Sequence, residues 1–530
     1  MSLPCSVYTP VLGSYGVTML CLVLLYTILT ILTILTIFTY PVTGFCPDGC
    51  VCSQYSTSCI STDLEVTNTI TMIMLTVCVQ VMPITLSPST KDLVLNYNKF
   101  TTVDASISFY PVLKTLDLTS NKLTTLQDRV FMNQHILEDL NIMDNHISDV
   151  SKEVFRGLKS LVRLNLNKNK IKLLRNQSFY YLPKLEVMSL ADNLISMIEE
   201  EAFMNLNNLK VLNLQENNLK IIPTTAMAAL INLEELNMSG NRITAISSFA
   251  LQSLPSLVTL ALARNKIREI HHQAFQSLDK LEDLYLESNE LCTVPTNGLS
   301  KVKNLKKIVL GNNPIKEIHE NALKENINLI FLNISHCNQI TEITAEAFKK
   351  NLNLKTVVIS NNPKLEKIDS RVFGQGTQLR HLDLRRNGLS SLSENLTDWT
   401  TVKTLQLSEN MWHCSCDLIW LQQTIVKLVN SSQASVRIVK CFSPRHLYDH
   451  DIVTATIDNC DDVSTSDKYV ESEKSVIFNI TIVSVSLVIS IASTMITISI
   501  FSYCSSRRPP AKDVSFTTHQ PLLSYNRNQQ

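Results

Sequence analysis

Apolar and polar residues follow one repeating phrase along this chain, L-x-x-L-x-L-x-x-N-x-L, which returns fourteen times between about Leu93 and Trp412. Ten of its opening leucines stand 24 residues apart: Leu113, Leu137, Leu161, Leu185, Leu209, Leu233, Leu257, Leu281, Leu305 and Leu329. Leu354 and Leu379 each arrive one residue late, and Val402 opens the last copy. A fixed period in this range predicts a solenoid of stacked turns. Within each copy the L-x-L core alternates with period two and reads as a short strand. Parallel strands stack about 4.8 Å apart, so the copies predict a concave sheet roughly 60 Å long. The leucines at the first, fourth and sixth places point inward.

A ladder of asparagines leaves the strand side: Asn98, Asn121, Asn145, Asn169, Asn193, Asn217, Asn241, Asn265, Asn289, Asn313, Asn362, Asn387 and Asn410. Their buried amides must bond turn backbone, because each unpaired buried polar group costs about 1 to 3 kcal/mol. Cys337 takes the asparagine place in one copy, as a weaker donor. Phe131, Phe155, Phe179, Phe203, Phe275, Phe348 and Phe373 recur in one phase and are expected to stack on the convex side.

The ends differ in kind from the middle. Val17 to Tyr40 is apolar and dotted with threonines, and the first charge is Asp48. Residues 1–44 therefore read as an export signal cut near Phe45, with an uncleaved anchor as the alternative. A second uncharged run spans Ser475 to Ser506. As a helix, Val476 to Phe501 would measure roughly 39 Å, enough to cross a hydrocarbon core of about 30 Å. Acidic residues precede it, and Arg507, Arg508 and Lys512 follow. Basic flanks favour the cytoplasmic side, which leaves the repeats outside. The expected order is an N-terminal cap over 45–92, repeats over 93–409, a C-terminal cap over 410–462, a linker over 463–475, a transmembrane helix over 476–503 and a tail over 504–530. That tail is too short for a signalling domain.

Cys46, Cys50, Cys52 and Cys59 cluster before the first repeat, and Cys414, Cys416, Cys441 and Cys460 after the last. In an exported chain such clusters form a disulfide framework. Their place has a physical reason, since a terminal repeat has one apolar face without a neighbour. Cys78 competes with Cys59 as the fourth N-terminal partner. Cys292 and Cys337 lie two strands apart, roughly 10 Å, beyond the ~7 Å reach of a disulfide. Both are expected free and buried.

Cys46-Pro-Asp-Gly-Cys-Val-Cys resembles the N-terminal cap of extracellular leucine-rich repeat proteins. Asn410-Met-Trp-His-Cys-Ser-Cys-Asp-Leu-Ile-Trp-Leu421 resembles their C-terminal cap, with Met411 where a proline is usual. That resemblance implies the pairs Cys414–Cys441 and Cys416–Cys460. It also implies an α/β solenoid, a leucine-rich repeat horseshoe with a parallel concave sheet, capped by disulfides and followed by one transmembrane helix.

Function is sought on the outward positions between the leucines, which are mostly polar. One group departs from this: Tyr285, Val309, Phe331 and Val358 hold outward places on four consecutive repeats. Side by side they would form an exposed apolar stripe, a candidate contact for a ligand or a second copy of the chain. Glycosylation sequons stand at Asn176, Asn237, Asn333, Asn395 and Asn430. Asn237 and Asn333 are on outward strand positions, and a glycan on Asn333 would cover much of the stripe.

No phosphate loop, G-x-S-x-G elbow or H-E-x-x-H motif occurs. The expectation is no enzyme, no cofactor and no metal, with His446, Asp449, His450 and Asp451 read as a polar cap loop. A net charge of zero gives no argument for nucleic acid. The chain resembles neuronal leucine-rich repeat adhesion proteins and Toll-like receptor ectodomains. This implies a type I plasma-membrane receptor or adhesion protein that binds an extracellular protein ligand or co-receptor through its concave face. An innate-immune recognition ectodomain and a regulator of an extracellular protease are the alternatives.

Overall fold

The computed structural model describes residues 51–52, 56–58, 87–430, 435–436 and 438–457. The segments expected as signal, transmembrane helix, linker and tail lie outside these, as do Cys46, Cys50, Cys59, Cys78 and Cys460. Among the described residues no helix is long and apolar enough to cross a membrane.

One three-residue parallel strand per repeat, from Asp92–Val94 to Thr404–Gln406, builds a continuous sheet. The central apolar residues align across it, as in Leu116 with Leu140 and Leu212 with Leu236. Ser56–Ser58 extends the sheet at one end, itself paired antiparallel with Val51–Cys52. Ser435–Val436 extends it at the other.

Each strand stops early for a backbone reason. The eighth place of the repeat turns into the left-handed region at Tyr97, Ser120, Asp144, Lys168, Asp192, Glu216, Arg264, Ser288, Asn312, His336, Asn361, Arg386 and Glu409, with φ between 51° and 61°. Only at Gly240 does a glycine take this role, with φ 70°. Such a conformation is disfavoured for L-residues by roughly 1 kcal/mol or more, so closure of the solenoid turn is what holds it.

The convex side departs from the expected α/β character. It consists of turns, short 3₁₀ segments and two-residue strand pairs such as Leu173–Leu174 with Met197–Ile198. Among the described residues, α-helix is confined to Thr296–Leu299 and, in the C-terminal cap, Ile419–Asn430. Once the strand phrase is placed, about half of a 24-residue period is left to return to the next strand, and tight turns fill it.

The core is one column of leucines, most with no exposed surface. Phe155, Phe179 and Phe203 stack at 5.8 and 6.2 Å, and Phe348 meets Phe373 at 5.9 Å. Met227, Leu251, Leu299 and Leu323 fill the same phase between these groups and are buried too. The phenylalanine spine therefore runs in segments.

The asparagines bond in two directions. The Asn145 amide nitrogen donates to Ile142 O at 3.2 Å in its own repeat and to Leu118 O at 3.0 Å in the preceding one. Its side-chain oxygen accepts from Leu123 N at 3.0 Å, again in the preceding repeat. This pattern recurs through Asn313. At Cys337 the thiol donates to Leu310 O at 3.7 Å. Beyond it, where the period departs from 24, the oxygens of Asn362, Asn387 and Asn410 accept from the ladder residues Cys337, Asn362 and Asn387 themselves.

The last repeat is closed by Trp412, fully buried, whose indole donates to Leu407 O at 2.9 Å. Cys414 and Cys441 form a disulfide with Cα atoms 5.7 Å apart. Cys416 is also a disulfide cysteine, and its partner is not among the described residues. Among the described residues Cys292 and Cys337 are unpaired; Cys337 is buried, whereas Cys292 is exposed, against expectation. Leu291 beside it takes the inward place, so the next side chain faces water.

Candidate ligand-binding face

Strand register decides which outward residues meet. Tyr285 pairs with Val309, Val309 with Asn333, and Asn333 with Val358. Phe331 instead pairs with Lys307 on one side and Thr356 on the other. The four apolar residues therefore do not form a single stripe. Three share one row, interrupted by Asn333, and Phe331 stands in the next row.

Nor is the group uniformly exposed. Tyr285 is 6% exposed, and the other three are half-buried. The partner of Tyr285 on the preceding strand is Ala261, only a methyl group. Lys307 stands over the ring from the other side. Its ammonium lies 5.0 Å from the Tyr285 centroid and 5.0 Å from the Phe331 centroid. A cation held between two aromatic faces is attracted to both ring quadrupoles. The C-terminal half of the concave sheet thus carries an aromatic pair bridged by the ammonium of a half-buried lysine. Alternation alone leaves Lys307 as one of the mostly polar outward positions. The signal was in the period, since Phe331 follows Lys307 by the same 24 residues that separate the opening leucines.

Much of the remaining polar face is paired with itself. Arg163 donates through two nitrogens to both oxygens of Asp139, which raises its pKa. Arg264 meets Glu216 at 2.8 Å, Arg385 meets Asp383 at 3.1 Å, and Arg386 meets Glu409 at 2.8 Å. Asp117, 7% exposed, accepts from Thr119 N at 2.8 Å. On the flank just before the strands, Lys114 pairs with Glu138, Lys210 with Glu186 and Lys306 with Glu282. The hydrogen bond that each ammonium donates to its carboxylate raises the pKa of Lys114 and Lys210.

The sequons separate by burial. Asn176 and Asn395 are exposed. Asn333 is half-buried between Val309 and Val358, and its side-chain oxygen accepts from Ser335 N at 2.9 Å. Asn237 is 3% exposed, and its amide nitrogen donates to Gln215 Oε1 at 2.9 Å. The nitrogen that would carry a glycan is thus buried and bonded in the folded chain. Asn430 ends the cap helix.

Among the described residues no group of three His, Cys, Asp or Glu side chains is placed to hold a metal ion. In the cap loop, Asp449 pairs with Lys440 at 2.8 Å and Asp451 accepts from Val453 N at 3.0 Å.

The leucine rich repeat family model matches at residues 88–147, 135–195, 183–243, 231–291 and 328–389. A relative, transforming growth factor beta activator LRRC33 of Danio rerio, is 29% identical over 84 residues, covering 16% of this chain and 12% of that protein. Among solved structures, the TLR13-ssRNA13 complex superposes with a TM-score of 0.62 at 26% identity, over 70% of this chain and 54% of that one. The leucine-rich repeat protein LIC12759 of Leptospira interrogans has a TM-score of 0.52 at 24% identity, over 68% and 81%. This chain thus spans a small part of the curated relative and about half of the TLR13 chain. With the repeat model matched over half of the chain and a parallel strand in every repeat, the protein belongs to the leucine-rich repeat family.

Proposed function

We propose that this protein is a single-pass cell-surface receptor or adhesion protein that binds an extracellular protein ligand through its concave face. The observation that carries this is the Lys307 ammonium seated between Tyr285 and Phe331 on the outward face of three adjacent strands in the C-terminal half of the sheet. Aromatic side chains and cations grouped on a broad surface are the groups that anchor protein interfaces. The paired charges around them would form a polar rim. Similarity to a growth-factor activator and to a Toll-like receptor supports a receptor role, and the expected signal and membrane helix support the cell surface.

The test is a binding screen of the displayed chain against cell-surface and secreted proteins. One strong protein hit, itself included, supports the reading. Binding to microbial extracts with no protein hit favours the second reading, a pattern-recognition ectodomain, to which the TLR13 likeness points.

A further inference from the structure

The flank row just before the strands changes character along the solenoid. Lys114, Lys210 and Lys306 each meet an acidic neighbour, so the row neutralises itself. After Lys306 it reads Ile330, Lys355, Arg380 and Lys403, with no acidic residue. These four are consecutive neighbours, because Lys355 N donates to Ile330 O at 2.9 Å, and Arg380 N to Lys355 O and Lys403 N to Arg380 O, both at 2.8 Å. Lys355, Arg380 and Lys403 are exposed, and among the described residues none has an ion-pair partner. Each is adjoined on its strand by a half-buried polar side chain, Thr356, His381 or Thr404. Ile330 and Phe331 adjoin the basic row as its apolar end.

We propose that this row is a docking strip for an α-helix of the ligand that carries an acidic stripe. The geometry selects the helix. The three cations are spaced by the strand pitch, about 4.8 Å, and span roughly 10 Å. A helix lying along the solenoid axis advances 5.4 Å per turn, so carboxylates at i, i+4 and i+8 rise by about 12 Å and can face all three. An apolar residue one turn further along would reach Ile330 and Phe331. Nucleic acid fits less well, since three cations offset few phosphates and leave binding weak at physiological salt. The inference rests on the concave-face reading and names the chemistry of its ligand.

The probe is a fluorescent helical peptide with glutamates at i, i+4 and i+8 and a leucine one turn beyond. Its isomer, with the glutamates spread around the helix, and a short single-stranded RNA serve as controls. With the purified full chain the striped peptide should bind about tenfold tighter than its isomer, the combined effect of three exposed ion pairs. Combining Lys355→Glu, Arg380→Glu and Lys403→Glu should abolish that difference without moving the thermal midpoint. Equal binding of the two peptides overturns the proposal, as does an unaffected triple variant. Tighter binding of RNA overturns it in favour of a phosphate backbone. If a protein hit from the screen is lost with Phe331→Asp but kept by the triple variant, the concave-face reading stands and this inference falls.

Discussion

Arg264 reaches Glu216 at 2.8 Å although a whole repeat stands between them. Gly240 occupies the intervening place, and a Cβ there would lie 2.4 Å from Glu216 Oε1. The missing side chain is what lets the pair close over it. Gly240→Ala should break the pair and strain a left-handed residue, at a cost of about 1 kcal/mol by chemical denaturation. Arg264→Ala should cost less than about 0.5 kcal/mol, because both partners are well exposed. Equal losses in the two variants would mean that the glycine's backbone conformation matters little.

The asparagine ladder gives a larger effect. Asn217 donates to Leu190 O, Leu214 O and Gln215 O and accepts from Ile195 N at 2.9 Å. Asn217→Ala leaves several buried backbone groups unpaired and should cost about 2 to 4 kcal/mol in equilibrium unfolding. Asn410→Ala should cost less, since Asn410 is half-buried. The opposite ranking would contradict the assigned roles.

Cys292 and Cys337 should respond differently to a thiol reagent. Burial pushes the Cys337 thiol up to about 11, whereas Cys292 is exposed. Near pH 8 the native chain should label at Cys292 and acquire label at Cys337 only on unfolding, read by peptide mass spectrometry. Since the unfolded thiol ionises near its reference value of 9.0, the Cys337 contribution is fully present below pH 9 and is lost as pH rises toward 11. Replacing Cys337 by Ser should flatten the stability profile in that window.

Phe331→Asp should remove binding to any partner found in the screen while leaving secretion and the thermal midpoint unchanged. Phe331 is half-buried on the outward face, and the new carboxylate falls beside the Lys307 ammonium rather than in apolar surroundings. Lys307→Ala should weaken the same binding. A variant that fails to fold would place Phe331 in the core instead.

The strands, the inward leucines and the asparagine ladder were legible because each follows from period and alternation. The left-handed turn was not, because it is carried by Ser120, Lys168, Glu216 and Arg386 rather than by glycines. Those residues are held there by closure of the whole turn, which no local propensity reports. The apolar stripe misled for a different reason. Alternation says that Tyr285 and Phe331 face outward, but they are 46 residues apart rather than two periods of 24, and it is Lys307 that shares the phase of Phe331. Burial of Tyr285 depended on Ala261 and Lys307, contributed by the strands on either side.

The ladder has a direction with consequences for how the chain matures. Leu123 N is satisfied by Asn145, and Leu219 N by Asn241, each supplied by the repeat that follows. A turn emerging from the ribosome is therefore incomplete until its successor has been made and has docked. Growth proceeds like a zip whose every tooth is locked by the next. A stalled or prematurely stopped chain would leave its final turn open, with a bare amide and an uncovered leucine face as a ready mark for chaperones.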